Sequence, residues 1–368
     1  MEKISVGILT LPLSNNYGGI LQAAALYEFL NVSGFNPILI RRQHTTKKKD
    51  ILKQIFAKNP FWRIADPANT AKRYRQDRYF RKFINNYFLN KTEKCFSSSD
   101  LAYHTKDIDS FIVGSDQVWR FAYTGRAYRD YFLEFVDNRP KIAYAASFGL
   151  DRWEDGDSEA DVSILLKRFS AVSVREIQAI EYLKTSLGVD SISTLDPTFL
   201  VDKKFYYEIM GMTKPQEPNN VFNYVLDQAP EKQRLVNDVC KILGLGVNTI
   251  DLNPKSWETK ASISTWLRKI FNAKFVVTDS FHGMVFSIIF NKPFLAIANK
   301  DRGYARFQSL TSELGLDDRL ITGLTRIDNV DLTERIQSAI DYGAVNKRIE
   351  ILKTLSSSFI LDNLNKYN

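Results

Sequence analysis

The chain has 368 residues, 44% of them hydrophobic and 25% charged, which is enough apolar material for two separately cored domains and excludes a disordered chain. Lys and Arg number 50 against 42 Asp and Glu, for a formal charge of +8, so an anionic ligand, an anionic membrane surface or a nucleic acid is favoured without a choice among them. Cys95 and Cys240 lie far apart and there are three histidines, His44, His104 and His282, which argues against a disulfide scaffold or a zinc site and fits a reducing compartment.

The first apolar run, "ISVGILTLPL", predicts a strand near 3–11 and leads into "SNNYGGILQAAAL" (14–26). Glu2 cancels Lys3, and Asn15, Asn16 and two glycines part the run from the alanines, so a secretory signal is not expected. No eighteen apolar residues run together, and the expected location is the cytoplasm. Gly18 and Gly19 remove side chains where a helix begins, while Asn15, Asn16, Tyr17 and Gln22 offer hydroxyl and amide partners suited to a sugar or a phosphate. A strand-to-helix turn also needs glycine for steric reasons alone, and both readings stand at this level.

Further strands are expected near 36–42, 109–114, 140–147, 170–175 and 191–195, then at 220–227, 246–252, 274–280 and 292–299, with helical segments between them. This alternation predicts α/β architecture, with parallel sheets covered by helices. Residues 45–107 break it. They carry "KRYRQDRYFRKFINNYF" (72–88), in which Tyr79, Phe80, Phe83 and Tyr87 recur at helical spacing beside Arg75, Arg78, Arg81 and Lys82. One reading is an insertion whose apolar stripe packs on the domain; the other is peripheral contact of this basic helix with an anionic membrane face. No motif supports nucleic acid recognition.

In "FIVGSDQVWR" (111–120) an apolar strand runs into Gly114, Ser115, Asp116, Gln117 and Trp119. A carboxylate, an amide and an indole together can grip a carbohydrate, although Ser115 or Asp116 can equally cap a helix and Trp119 can be core. The proline-marked stretch 195–220 places an interdomain boundary near 205, dividing an N-terminal domain, 1–205, from a C-terminal domain, 206–368, whose last helical stretch, 332–364, is a candidate to pack back on the first.

"FVVTDSFHGMVFSIIFNKPFLAIAN" (275–299) is the most informative segment. A buried strand ends at Thr278-Asp279-Ser280, and a helix is expected from about Met284, just after His282 and Gly283. That placement aims backbone N–H groups and a helix dipole at an anion, and disfavours protonation of the imidazole until a negative ligand is present. His282 is therefore the candidate for proton transfer, and Asp279 either orients it or the acceptor, or caps the helix. Lys300, Arg302 and Arg306 follow, and Arg175 stands at another strand end; these cations suit phosphate or carboxylate oxygens.

Taken together in order, "NNYGGILQAAAL", "VGSDQVW", "YAASFG", "SVRE", "LDPTFLV" and "TDSFHGMVFSIIFNKPFLAI" resemble the polysaccharide pyruvyl transferase family from about residue 4 to 320. The resemblance implies two Rossmann-like doubly wound domains facing a cleft, similar to GT-B glycosyltransferases. It implies phosphoenolpyruvate as co-substrate on the C-terminal side, at Arg175, Ser280, Gly283, Lys300, Arg302 and Arg306. A sugar or lipid-linked oligosaccharide acceptor would face the N-terminal side, at Asn16, Tyr17, Gly18, Gly19, Gln22, Ser115, Asp116, Gln117 and Trp119. The implied product is a cyclic pyruvate ketal on two sugar hydroxyls, formed with release of phosphate, in cell-surface or capsular polysaccharide biosynthesis, with no metal or resident cofactor. Where better understood members have an arginine two residues before the histidine, this chain has Ser280; either another arginine takes over that charge or the donor differs. A sugar-nucleotide glycosyltransferase and a non-catalytic carbohydrate-binding protein are the alternatives of other classes.

Overall fold

The structure is a computed structural model describing residues 3–14, 16–43, 75–216, 219–252, 258–298, 303–323 and 329–366. Strand β1 (Ser5–Leu9) is buried at every position, as a parallel strand covered on both faces requires. Helix α1 (Tyr17–Val32) starts on Asn16, whose side-chain oxygen accepts the Gly19 amide, and nearly all of it is interior. There follow β2 (Asn36–Arg42), α2 (Arg78–Tyr87), β3 (Lys91–Cys95), β4 (Ser110–Val113), β5 (Lys141–Ala146), β6 (Ala171–Val174), α3 (Ile177–Thr185) and β7 (Ile192–Ser193). These strands form one sheet in the order β3-β2-β1-β4-β5-β6-β7, parallel throughout.

After α4 (Lys203–Met210) the second sheet is built from β8 (Asn220–Tyr224), β9 (Gly246–Thr249), β10 (Phe275–Thr278), β11 (Phe294–Ile297) and β12 (Leu320–Ile321). Its order is β12-β11-β10-β8-β9, again parallel. The helices that matter here are α5 (Pro230–Leu243), α6 (Ile263–Phe271), α7 (Phe281–Ile289), α8 (Tyr304–Leu314) and α9 (Tyr342–Asn365). Every expected strand is present, and β3 and β12 are additions. Of the insertion expected at 45–107, residues 45–74 lie outside the described residues, and within the remainder the polar "KTEKC" of β3 is an edge strand of the first sheet.

The order of each doubly wound sheet reverses once, between β1 and β4 in the first and between β8 and β10 in the second. Crevices outside the carboxyl ends of strands at such points are where ligands bind in this architecture. The two sheets are joined through a shared core in which Tyr17, Ile20 and Leu21 of α1 and Phe80 of α2 pack with Trp266, Met284 and Phe286. Tyr17 stacks on Trp266 at 5.3 Å and donates its hydroxyl to the Ala261 carbonyl. From the far end, α9 places Ile360 and Leu364 in the cluster around β1 and β5, and Ser356 Oγ accepts the Leu195 amide.

The apolar stripe of the basic helix is used inside the protein. Phe80 lies 4.9 Å from Tyr17, Phe83 stacks on Tyr87 at 5.3 Å, and Tyr87 meets Phe205 at 5.7 Å. Arg78 and Lys82 remain exposed. Among the described residues no helix is long and apolar enough to cross a membrane.

Candidate active site

The fully buried β10 delivers the chain to the second reversal point. Thr278 Oγ1 donates to the Tyr224 carbonyl and accepts the Ser280 amide, locking the exit from the strand. Ser280 then caps α7 by accepting the Gly283 amide at 3.3 Å. The helix therefore begins at Phe281 rather than near Met284, and His282 sits inside its first turn instead of before it. First-turn amides lack intrahelical acceptors, so those of Phe281 and His282 form the positive end of α7. Gly283 is fixed by close packing, since a Cβ there would lie 2.3 Å from Thr278 Oγ1.

Asp279 does not face His282. Its carboxylate accepts the Leu226 amide at 2.6 Å and the Asp227 amide at 3.1 Å, and it pairs with Lys232 at 2.6 Å. It ties the loop after β8 to β10, which corrects the expectation that it orients the imidazole.

The groups around His282 come from the first sheet. Helix α1 presents Gly18, where a Cβ would stand 2.1 Å from the ring Cγ and Nδ1; only a glycine lets the histidine approach this closely. On another side, Nε2 lies 3.5 Å from Asp196 Oδ2. Asp196 is itself held by the Thr198 amide and hydroxyl on Oδ1, and by Arg175 at 2.8 Å and Ser115 Oγ at 3.3 Å on Oδ2. Arg175 also reaches Asp116 at 3.3 Å, and Arg306, from α8, stands 3.7 Å from the same carboxylate. Both guanidiniums lie over the Phe281 ring, at 4.9 and 5.2 Å. Asp116 has φ +72°, a left-handed backbone that a non-glycine residue adopts at a cost, as side chains at functional sites often do.

Burial opposes ionisation of both aspartates, yet His282 and Arg175 hold Asp196 well below the usual carboxylate range, and Arg175, His282 and Arg306 lower Asp116. Burial and then the neighbouring Arg175 push Arg306 down to about 10, against the opposing pull of Asp116 and Glu176. Glu176 is the opposite case. Burial raises its carboxyl, Ser147 donates to Oε1, and Oε2 has no hydrogen-bond partner among the described residues.

The structure thus brings together Gly18, Gly19, Ser115, Asp116, Arg175, His282 and Arg306, and adds Asp196 and Glu176. The signal for Asp196 was its place before Pro197 at a strand end, where its side chain caps a short turn. Other candidates have different partners. Trp119 is fully buried, stacks on Phe132 at 5.2 Å and donates to the Tyr131 carbonyl, so it is core and not a sugar platform. Tyr17 belongs to the shared core, which removes its ring from acceptor contact. Gln22 is spent on Thr10, the Gly19 carbonyl and the Ser115 amide, bracing α1 against the loop after β4. Gln117 is buried with Nε2 unpartnered among the described residues, and Asn16 is exposed at the helix cap. The Ser280 hydroxyl oxygen accepts the Gly283 amide as the helix cap, and Asn15, Lys300 and Arg302 lie outside the described residues.

A family model described as polysaccharide pyruvyl transferase matches residues 16–301. No curated protein matches the sequence. Among solved structures, UDP-N-acetylglucosamine 2-epimerase from Rickettsia bellii aligns over 100% of this chain and 97% of its own, with TM-score 0.53 and 12% identity. UDP-GlcNAc 2-epimerase from Neisseria meningitidis, bound to UDP-GlcNAc, aligns over 99% and 100%, with TM-score 0.53 and 12% identity. At this identity the likeness concerns the fold: two Rossmann-like domains in a GT-B-like arrangement.

Proposed function

Because the chain belongs to the polysaccharide pyruvyl transferase family, we propose that it moves the pyruvyl group of phosphoenolpyruvate onto two hydroxyls of a sugar, forming a cyclic ketal in cell-surface polysaccharide synthesis. The observation that carries this reading is the meeting of His282, on the first turn of α7, with Gly18, Asp116 and Asp196 from the facing sheet. A transfer between a donor held by one domain and an acceptor held by the other needs its proton-moving group at that meeting point.

In the proposed reaction the methylene carbon of phosphoenolpyruvate gains a proton, its C2 becomes electrophilic, and a sugar hydroxyl adds there and gives up its own proton. His282 mediates one of these transfers. Phosphate then leaves with the proton of the second hydroxyl as that oxygen closes the ring. Arg306 and the positive end of α7 hold the phosphate and carboxylate of the donor, and the sequence offers Lys300 and Arg302 as further cations for it. Arg175, caged by Asp116 and Asp196, organises those carboxylates rather than gripping the donor. Asn16, Gly19, Asp116 and Gln117 are left to meet the acceptor from the first domain, on a sugar that is free or lipid-linked.

The test is phosphate release by the purified protein from phosphoenolpyruvate with panels of nitrophenyl and lipid-linked glycosides. Release that depends on an acceptor and on His282 is expected. Turnover of a sugar nucleotide instead would make the protein a glycosyltransferase, and sugar binding that persists in His282→Ala with no turnover in the parent would make it a binding protein.

A further inference from the structure

We propose that Asp196 is a positioning residue for His282, a carboxylate supplied by one domain that fixes the ring orientation and tautomer of the histidine supplied by the other. The proton-transfer role of His282 rests on the reading above; the pairing of the two side chains does not.

The geometry argues for it from both partners. Asp196 is pinned on Oδ1 by the Thr198 amide at 3.1 Å and hydroxyl at 2.8 Å, and on Oδ2 by Arg175 at 2.8 Å and Ser115 at 3.3 Å. It cannot swing away, and Oδ2 faces Nε2 of His282 at 3.5 Å. Nε2 is buried and has no hydrogen-bond partner among the described residues. Buried ring nitrogens are paired as a rule, and here the carboxylate is in place; closure by about 0.5 Å brings the two to hydrogen-bond length. Catalytic pairs are commonly longer before substrate binds. Gly18 closes another side of the ring, so the imidazole is confined between α1 and Asp196.

In this arrangement the neutral ring carries its proton on Nε2, held by Asp196. It takes a second proton on Nδ1, becoming an imidazolium stabilised by the carboxylate, and returns to the same neutral tautomer on giving that proton up; Asp196 stays ionised throughout. The charged groups facing the ring are Asp196 from the loop after β7 and Asp116 from the loop after β4, with Arg175 after β6 and Arg306 of α8 paired to these carboxylates.

The experiment is ¹⁵N NMR of the substrate-free protein with labelled histidine, the His282 signals being assigned by their loss in His282→Gln. The wild-type neutral ring is expected as the Nε2–H tautomer, and in Asp196→Asn the imidazole midpoint is expected to fall by about one pH unit, a tenfold loss of proton affinity. In turnover, kcat of Asp196→Asn should drop with little change in donor KM, its histidine-linked pH limb moving with the NMR midpoint. An Nδ1–H tautomer in the wild type, or an unmoved midpoint in folded Asp196→Asn, overturns the proposal. Should Asp196→Asn fail to fold, the wild-type tautomer alone decides. If the spectra agree while phosphoenolpyruvate is not consumed, the pairing stands and the pyruvyl-transfer reading falls.

Discussion

Gly18 sets how closely the two domains meet at the histidine. Gly→Ala inside a helix ordinarily stabilises it by about 0.5–1 kcal/mol. Here the added Cβ would sit 2.1 Å from the ring, so crowding outweighs propensity. Gly18→Ala is expected to lower kcat/KM by about 10²-fold through displacement of the ring and to cost about 1–3 kcal/mol of stability, read by turnover and by denaturant midpoint. An alanine variant with the parent's rate would show that the ring works elsewhere. His282 and Gly18 were legible in the sequence because each stands at a strand-to-helix turn. That they touch was not, since 264 positions separate them and only the docking of two domains brings them together. Trp119 shows the converse: an aromatic residue after a strand can face a cleft or the core, and the indole's partners, Phe132 and the Tyr131 carbonyl, decide for the core.

The β10–α7 unit depends on elements that hold no ligand. Asp279 joins β10 to the loop after β8 through two amides and Lys232, and the carboxylate of this ion pair is fully buried. Removing one partner of a buried pair leaves the other charged and unsatisfied, so Asp279→Ala is expected to destabilise the protein by about 3–5 kcal/mol in urea unfolding. A variant of unchanged stability with a raised donor KM would instead put Asp279 in the binding site. At this scale the long apolar runs made the sheets readable. The polar edge strand β3 and the two-residue strands β7 and β12 carry too little pattern, and of these only β7 was anticipated, from the longer stretch 191–195. Helix α7 starts three residues before the expected Met284, because Ser280, at the end of the strand, is already its cap.

Across the whole molecule, the cluster of Tyr17, Phe80 and Trp266 gives the two sheets a common core, and the carboxylates of Asp116 and Asp196 sit where the sheets face each other. Both carboxylates titrate below their ordinary range because His282 and the arginines overcome the penalty of burial. They bind fewer protons folded than unfolded, so they add stability above about pH 4, and that contribution is lost as pH falls through the lowered folded values. Acid is therefore expected to loosen both domains together. Fluorescence and far-UV circular dichroism should report one coincident transition, less stable at pH 3.5 than at pH 6, with a smaller acid effect in Asp116→Asn/Asp196→Asn. Separate transitions would mean that the domains stand alone. The two-domain α/β fold was legible from the alternation of strands and helices, whereas the shared core was not, because nothing in a helical stripe names the helix it will meet.

The central claim is that His282 moves a proton at the junction of the two domains. Its most direct test is acceptor-dependent phosphate release from phosphoenolpyruvate by the wild type and His282→Ala, with folding of both verified. The account predicts release by the wild type and a loss of about 10²–10⁴-fold in the variant; release at the same rate in both would contradict it.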